Sequence, residues 1–232
     1  MKKIIFLLLA TIGTGGVIAQ SCSGSQMSSK QMANEQPVSA FGIVSSESLT
    51  TVQGGEFINQ AFTLGNVYEN GNLLLKNVPL RYNPYADEFE VKQISAIENS
   101  ELLFKNPGIS VKMSNAKYVF IEDNNEENGY FKIVTSGKHY DLLKKSVTTY
   151  LPARAAKTRY DVAQPAKFVT KDTYYLMSKD GELGELPTRS NKVSKMLTNR
   201  TKEVKKFIDT NRLDLEKDTD MARLINYYNS II

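Results

Sequence analysis

The chain changes its hydrophobic rhythm twice. Lys2 and Lys3 precede an apolar run over residues 4–10, and the apolar character fades towards Ala19. From Gly65 to about Leu186 apolar residues come as short alternating or continuous runs broken by Asn, Asp and Gly. After Pro187 the spacing becomes i, i+3, i+4. A strand has a side-chain period of two and a helix one of 3.6, so these rhythms predict an antiparallel β body followed by helices.

The clearest β signal lies between Gly65 and Lys92. Asn70-Gly71 separates Val67-Tyr68 from Leu73-Leu74-Leu75, and both residues tolerate the positive φ of a tight hairpin turn. Val78, Leu80 and Tyr82 then alternate with Asn77, Arg81 and Asn83, which predicts a strand with one wet face. Pro79 lacks an N–H for the ladder and predicts an edge or a bulge. Phe89 and Val91 alternate with Glu88, Glu90 and Lys92 in a second strand, and Arg81, Asp87 and Glu88 read as a solvated face and turn. Further strands follow around Ile109, Tyr118, Tyr130, Tyr140 and Tyr174, and Asp180-Gly181 closes the last with another hairpin signal. The expected fold class is α+β, mainly an antiparallel sandwich or open barrel with a short C-terminal helical segment. No βαβ alternation appears, which argues against a parallel nucleotide-binding sheet.

In the tail, Val193, Met196 and Leu197, then Val204, Phe207 and Ile208, then Met221, Leu224, Ile225 and Tyr228 mark three short amphipathic helices. Ser190, Asn199 and Asp218 are the N-cap candidates. Each apolar stripe is expected to lie on the β body or on a neighbouring helix. The expected division is 1–21 signal peptide, 22–52 flexible tether, 53–186 β domain and 187–232 helices.

The amino terminus bears on the compartment. A basic pair and a short apolar core read as a secretory signal, too short for a comfortable membrane span. Val17-Ile18-Ala19 offers ordinary cleavage before Gln20; Ala19-Gln20-Ser21-Cys22 is a loose lipobox around the chain's single cysteine. A solitary exposed thiol in an oxidising compartment is a liability, and acylation gives Cys22 a purpose. The expectation is an exported, periplasmic lipoprotein, anchored to the outer membrane by Cys22. Removing the signal takes Lys2 and Lys3 from a chain of formal charge +4, so nucleic acid is not an expected partner. The expected partners are the membrane, through the anchor, and an envelope protein.

The Gly-rich start around Gly54-Gly55, the run Leu80-Arg81-Tyr82-Asn83-Pro84-Tyr85-Ala86-Asp87-Glu88-Phe89-Glu90 and the ending Tyr227-Tyr228-Asn229 carry a resemblance. Together they resemble a group of secreted envelope proteins of Bacteroidota. The resemblance implies location and architecture, and it brings no catalytic residue.

Candidate chemistry is sparse. His139 is the single histidine, which excludes a multi-His metal site, and a triad through Asp141 or Asp161 would lack a nucleophile elbow. Carboxylate pairs such as Asp87 with Glu88, or Glu122 with Asp123, sit in turn-like segments. No catalytic residue, metal ligand or cofactor is expected. Residues 152–165 form a long connection, and such connections are functional or unstructured. Arg154, Lys157, Arg159 and Tyr160 within it are the candidate ligand-binding residues, with Arg forks suited to phosphate or carboxylate. The expected function is that of a non-enzymatic binding or assembly module for another envelope component. The alternatives are a lipid or glycolipid carrier with a barrel cavity, or a carboxylate hydrolase of envelope glycan or peptide.

Overall fold

A computed structural model describes residues 52–92, 100–122, 128–158 and 160–232. Ten strands run β1 (Thr63–Glu69), β2 (Asn72–Asn83), β3 (Glu88–Lys92), β4 (Ser100–Leu102), β5 (Ile109–Met113), β6 (Ala116–Ile121), β7 (Gly129–Ser136), β8 (Tyr140–Leu151), β9 (Lys167–Ser178) and β10 (Leu183–Leu186). Three helices follow: α1 (Ser190–Met196), α2 (Thr201–Asn211) and α3 (Asp218–Ile231), with a 3₁₀ turn at Thr198–Arg200 between the first two. The fold is therefore α+β and mainly antiparallel β, as the alternation predicts.

All ten strands join one sheet in the order β10-β9-β8-β7-β6-β5-β1-β2-β3-β4. It consists of two meanders, β1–β4 and β5–β10, joined where β1 pairs with β5. Asn70 and Gly71 adopt φ of 50° and 81°, the turn geometry expected of that dipeptide. On β2 the register slips twice against β1, between Gly65 and Val67 and again before Tyr68, so β2 carries two extra residues. Asn77 takes φ 53° within this bulged stretch and its N–H donates to Asn66 Oδ1 at 2.7 Å. Pro79 lies two residues beyond, in regular register with Leu64 on β1 and just past the last β2–β3 pair at Leu80, so it occupies a local edge beside the bulge rather than the bulge itself.

The sheet curls until its two halves touch. Asp87, in the β2–β3 turn with φ 53°, accepts the Tyr130 N–H of β7 at 3.2 Å and the Tyr82 hydroxyl at 2.7 Å. Pro84 O accepts the Thr148 N–H of β8 at 3.1 Å. The inside of the curl is aromatic. Phe89 stacks on Tyr82 at 4.8 Å and meets Tyr130 edge-on at 4.9 Å, with Tyr118 and Phe120 beside them. Leu80, Val111 and Phe89 are fully buried, so side chains fill this interior. Asn83, placed by its alternation on the wet face, is instead 7 % exposed, and its Oδ1 caps the turn by accepting the Tyr85 and Ala86 N–H groups.

The helices cover the same inner face farther along, over β7–β10. Leu142, Tyr174 and Leu176 of the sheet pack with Val193, Val204, Met221 and Leu224 of the helices. The apolar stripes thus face a core, as expected. The caps differ from expectation. Ser190 and Asp218 are the first helical residues rather than caps, Asn199 lies in the 3₁₀ turn, and Arg189, Arg200 and Lys217 occupy the cap positions without side-chain bonds. Arg212 ends α2 in the left-handed region at φ 50°.

Candidate binding arm

Strands β8 and β9 are each 12 residues long and pair along their whole length, from Tyr140 with Ser178 to Leu151 with Lys167. Their neighbours are shorter. β7 reaches β8 only as far as Lys144, and β10 reaches β9 only as far as Tyr174. The remainder, residues 145–151 with 167–173, forms a two-stranded arm that leaves the sheet. Its inner side rests on the β2–β3 turn, where Phe168 meets Tyr85 edge-on at 5.6 Å and Tyr150 at 5.2 Å. Thr148 and Thr170 share a hydroxyl bond of 2.7 Å across the arm. At the far end of this ladder, beside Lys167, the incoming chain adds one parallel bridge: Gln53 N–H donates to Ala166 O, and Gln53 O accepts the Phe168 N–H.

The connection 152–166 extends this hairpin. Arg154 and Gln164 exchange two backbone hydrogen bonds of 2.8 Å. Asp161 organises the tip: its Oδ1 lies 3.1 Å from Arg154 Nη2 and its Oδ2 accepts the Lys157 N–H at 3.2 Å. The structure thus brings Arg154 and Lys157 together around Asp161, with the Arg154 fork turned onto that carboxylate. Tyr160 points away, 99 % exposed, and Val162 is 69 % exposed. Arg159 and Cys22 lie outside the described residues.

The sequence reading missed the densest charge cluster, which lies on the inner face between the two cores. Register places Tyr118, Lys132, Lys144 and Tyr174 in one row across β6–β9. Asp218, at the start of α3, sits on this row. Its Oδ2 is 2.9 Å from Lys132 Nζ, and its Oδ1 is 2.8 Å from Lys144 Nζ and accepts the Tyr174 hydroxyl at 2.7 Å. Asp172 takes Lys144 as well, at 3.0 Å. Burial works to raise the Asp218 carboxyl, but the bonds from Lys144, Lys132 and Tyr174 outweigh it and hold it at about 2. Desolvation also opposes the Lys144 ammonium, yet its two carboxylates raise it above the ordinary lysine value. Tyr174 is pushed up by burial and by Asp218, so it stays a neutral donor. Every charge here has a partner, and the cluster acts as a clamp between sheet and last helix. Two lysines and an acid separated by up to 86 residues in sequence leave no local motif from which it could be found.

The other chemical candidates are occupied by the fold. Asp141, a possible orienter for His139, accepts the Gly137 N–H and pairs with Lys179 at 2.7 Å. The His139 backbone N–H donates to Asn229 Oδ1, which also accepts the Tyr140 N–H. Asp87 closes the curl, and Glu88 lies 3.4 Å from Lys105 Nζ. Arg81, read as part of a solvated face, is clamped instead: its guanidinium lies 3.5 Å and 4.5 Å from the Phe57 and Phe62 ring centres and 2.6 Å from Glu90. Among the described residues no three potential metal ligands cluster, and no helix is long and apolar enough to cross a membrane. Set against known proteins, the chain matches no family model, no curated protein and no solved structure.

Proposed function

We propose that this protein is a non-enzymatic binding or assembly module of the bacterial cell envelope, exported by its N-terminal signal, held at the outer membrane on its periplasmic side by an acylated Cys22, and joined to another envelope component through the β8–β9 arm. One observation carries the reading: the arm leaves a well-packed body and holds Val147, Leu151, Val169, Tyr160 and Val162 in solvent, each at least 41 % exposed. A hairpin stiffened by a full ladder and a tip ion pair loses little freedom on docking, so its exposed apolar surface is available for a partner. The aromatic filling of the curl favours this reading over a carrier. The engagement of Asp87, Glu88 and Asp141 in structural contacts favours it over a carboxylate hydrolase.

The test is a native pull-down of the membrane-extracted protein, with mass spectrometry of the intact chain and of whatever accompanies it. The expected result is an acylated chain beginning at Cys22 and a stoichiometric envelope component, lost when Tyr160 and Val162 are both changed to Ala. An unmodified chain that begins at Gln20 and travels alone overturns the reading.

A further inference from the structure

The outer face of the arm has an unusual composition. Beyond Lys145 and Thr173 at its root, three directly opposed pairs line this face: Val147 with Lys171, Thr149 with Val169, and Leu151 with Lys167. Each pair sets an apolar or methyl-bearing side chain beside a lysine or a second apolar one, and no carboxylate stands among the six. Val147 is 48 % exposed, and Leu151 and Val169 are each 41 % exposed. Lys167 and Lys171, and Lys157 at the tip, have no ion-pair partner among the described residues. The contrast is local, since on the inner face of the same arm Asp172 is taken by Lys144 and by the Ser146 hydroxyl.

We propose that this outer face lies on an anionic lipid bilayer, with Val147, Leu151 and Val169 turned to the interfacial region and Lys157, Lys167 and Lys171 on the headgroup phosphates. The proposal deepens the binding reading and rests on it, naming the envelope component as the anionic leaflet. Lysine stems can lie along apolar surface while their ammonium groups stay with phosphate. Tyrosine favours the headgroup level, where Tyr160 at the tip would sit. Charge alone gives a loose surface association, and apolar residues within it fix the depth. The route of the chain agrees. Gln53, close to the first described residue, bonds beside Lys167 at the far end of the arm, so the chain enters the folded body next to one of the lysines assigned to the membrane.

The chain contains no tryptophan, so Tyr160→Trp places a single reporter at the tip. The membrane-extracted protein carrying this change is incubated with vesicles of phosphatidylcholine alone or mixed with phosphatidylglycerol. Emission is expected to shift to the blue, and to be quenched by bromine-labelled acyl chains, only with phosphatidylglycerol present. Raising salt from 0.1 M to 1 M shortens the screening length from about 10 Å to about 3 Å and should reverse the shift. Changing Lys167 and Lys171 together to Gln should abolish it, whereas changing Lys192 and Lys195 on α1 to Gln, an equal loss of charge elsewhere, should leave it. Water-like emission on phosphatidylglycerol vesicles overturns the proposal, as does an equal shift on pure phosphatidylcholine or indifference to the Lys167 and Lys171 changes. Water-like emission together with a stoichiometric protein in the pull-down overturns the lipid face and keeps the binding module. A salt-sensitive shift with no accompanying protein supports the lipid face.

Discussion

Lys132 and Lys144 stand directly opposite one another on β7 and β8, and the Asp218 carboxylate, 86 residues beyond the first of them, bridges both. Like charges opposed across strands are destabilising by themselves. Here the acid that offsets them is delivered by the first turn of the last helix, where the helix dipole also favours it. Asp218→Asn should therefore leave two partly buried lysines facing one another with only Asp172 to serve them. The expected cost is about 2–3 kcal/mol, below the loss typical of a fully buried pair because Asp218 keeps 30 % exposure. Urea denaturation, read as a fall in midpoint at unchanged slope, measures it.

The same carboxylate makes stability depend on acid. Its folded pKa of about 2 lies below its ordinary 3.8, so its contribution is complete above pH 4 and is lost as pH falls from about 4 towards 2. That contribution is on the order of 1–2 kcal/mol after allowance for solvent. Stability of the parent and of Asp218→Asn, followed from pH 6 to pH 2, should converge over that window. A difference that stays constant to pH 2 contradicts the assignment.

Gly129 and Gly71 should respond oppositely in size to the same change. Gly129 sits at φ 140°, and an added methyl group would run into the Asp87 carboxylate that closes the curl. Gly129→Ala is expected to cost at least about 2 kcal/mol, through backbone strain and the displaced closure together. Gly71 has a positive φ but open space around it. Gly71→Ala should cost only about 1 kcal/mol, the conformational part alone. Thermal unfolding of the two variants side by side decides it.

Arg81 ties the segment ahead of β1 to the sheet. It lies between the Phe57 and Phe62 rings, donates to Gln60 O at 3.0 Å and pairs with Glu90, whose side chain is 15 % exposed. Its buried Nε has no hydrogen-bond partner among the described residues. Arg81→Ala should cost about 2–4 kcal/mol, since it forfeits both ring contacts and strands Glu90. Arg81→Lys should recover less than half, because an ammonium cannot lie flat between two rings and bond to Gln60 and Glu90 at once. Amide exchange at residues 56–62 should accelerate in both.

What the sequence made legible was local. Asn70-Gly71 and Asp180-Gly181 are turns because their backbone chemistry dictates turns. The tail helices carry a stripe that only a core explains. The strands from Ile109 to Met177 follow from alternation. Relations created by curling the sheet were not legible. Asp87 looks like an ordinary turn carboxylate until Tyr130 arrives from 43 residues away, and Arg81 looks solvated until Phe57 and Phe62 fold over it. Asn83 failed for a related reason: its alternation is that of a strand, but its side chain serves the following turn. The long connection 152–165 was recognisable as unusual, and Arg154 and Tyr160 as its notable residues. That Asp161 would claim Arg154 while leaving Tyr160 in water depends on a hairpin register that no composition encodes.

The seam between β1 and β5 has a kinetic consequence. Every other pairing between strands in the sheet joins consecutive segments, so two separate zippers can close through local connections, the longest of them the β8–β9 loop. Gly65 must find Met113 before the zippers become one sheet, and the aromatic interior can fill only after that search succeeds. The pace of folding should then be governed by a single long-range encounter, and weakening the seam should slow refolding far more than it hastens unfolding.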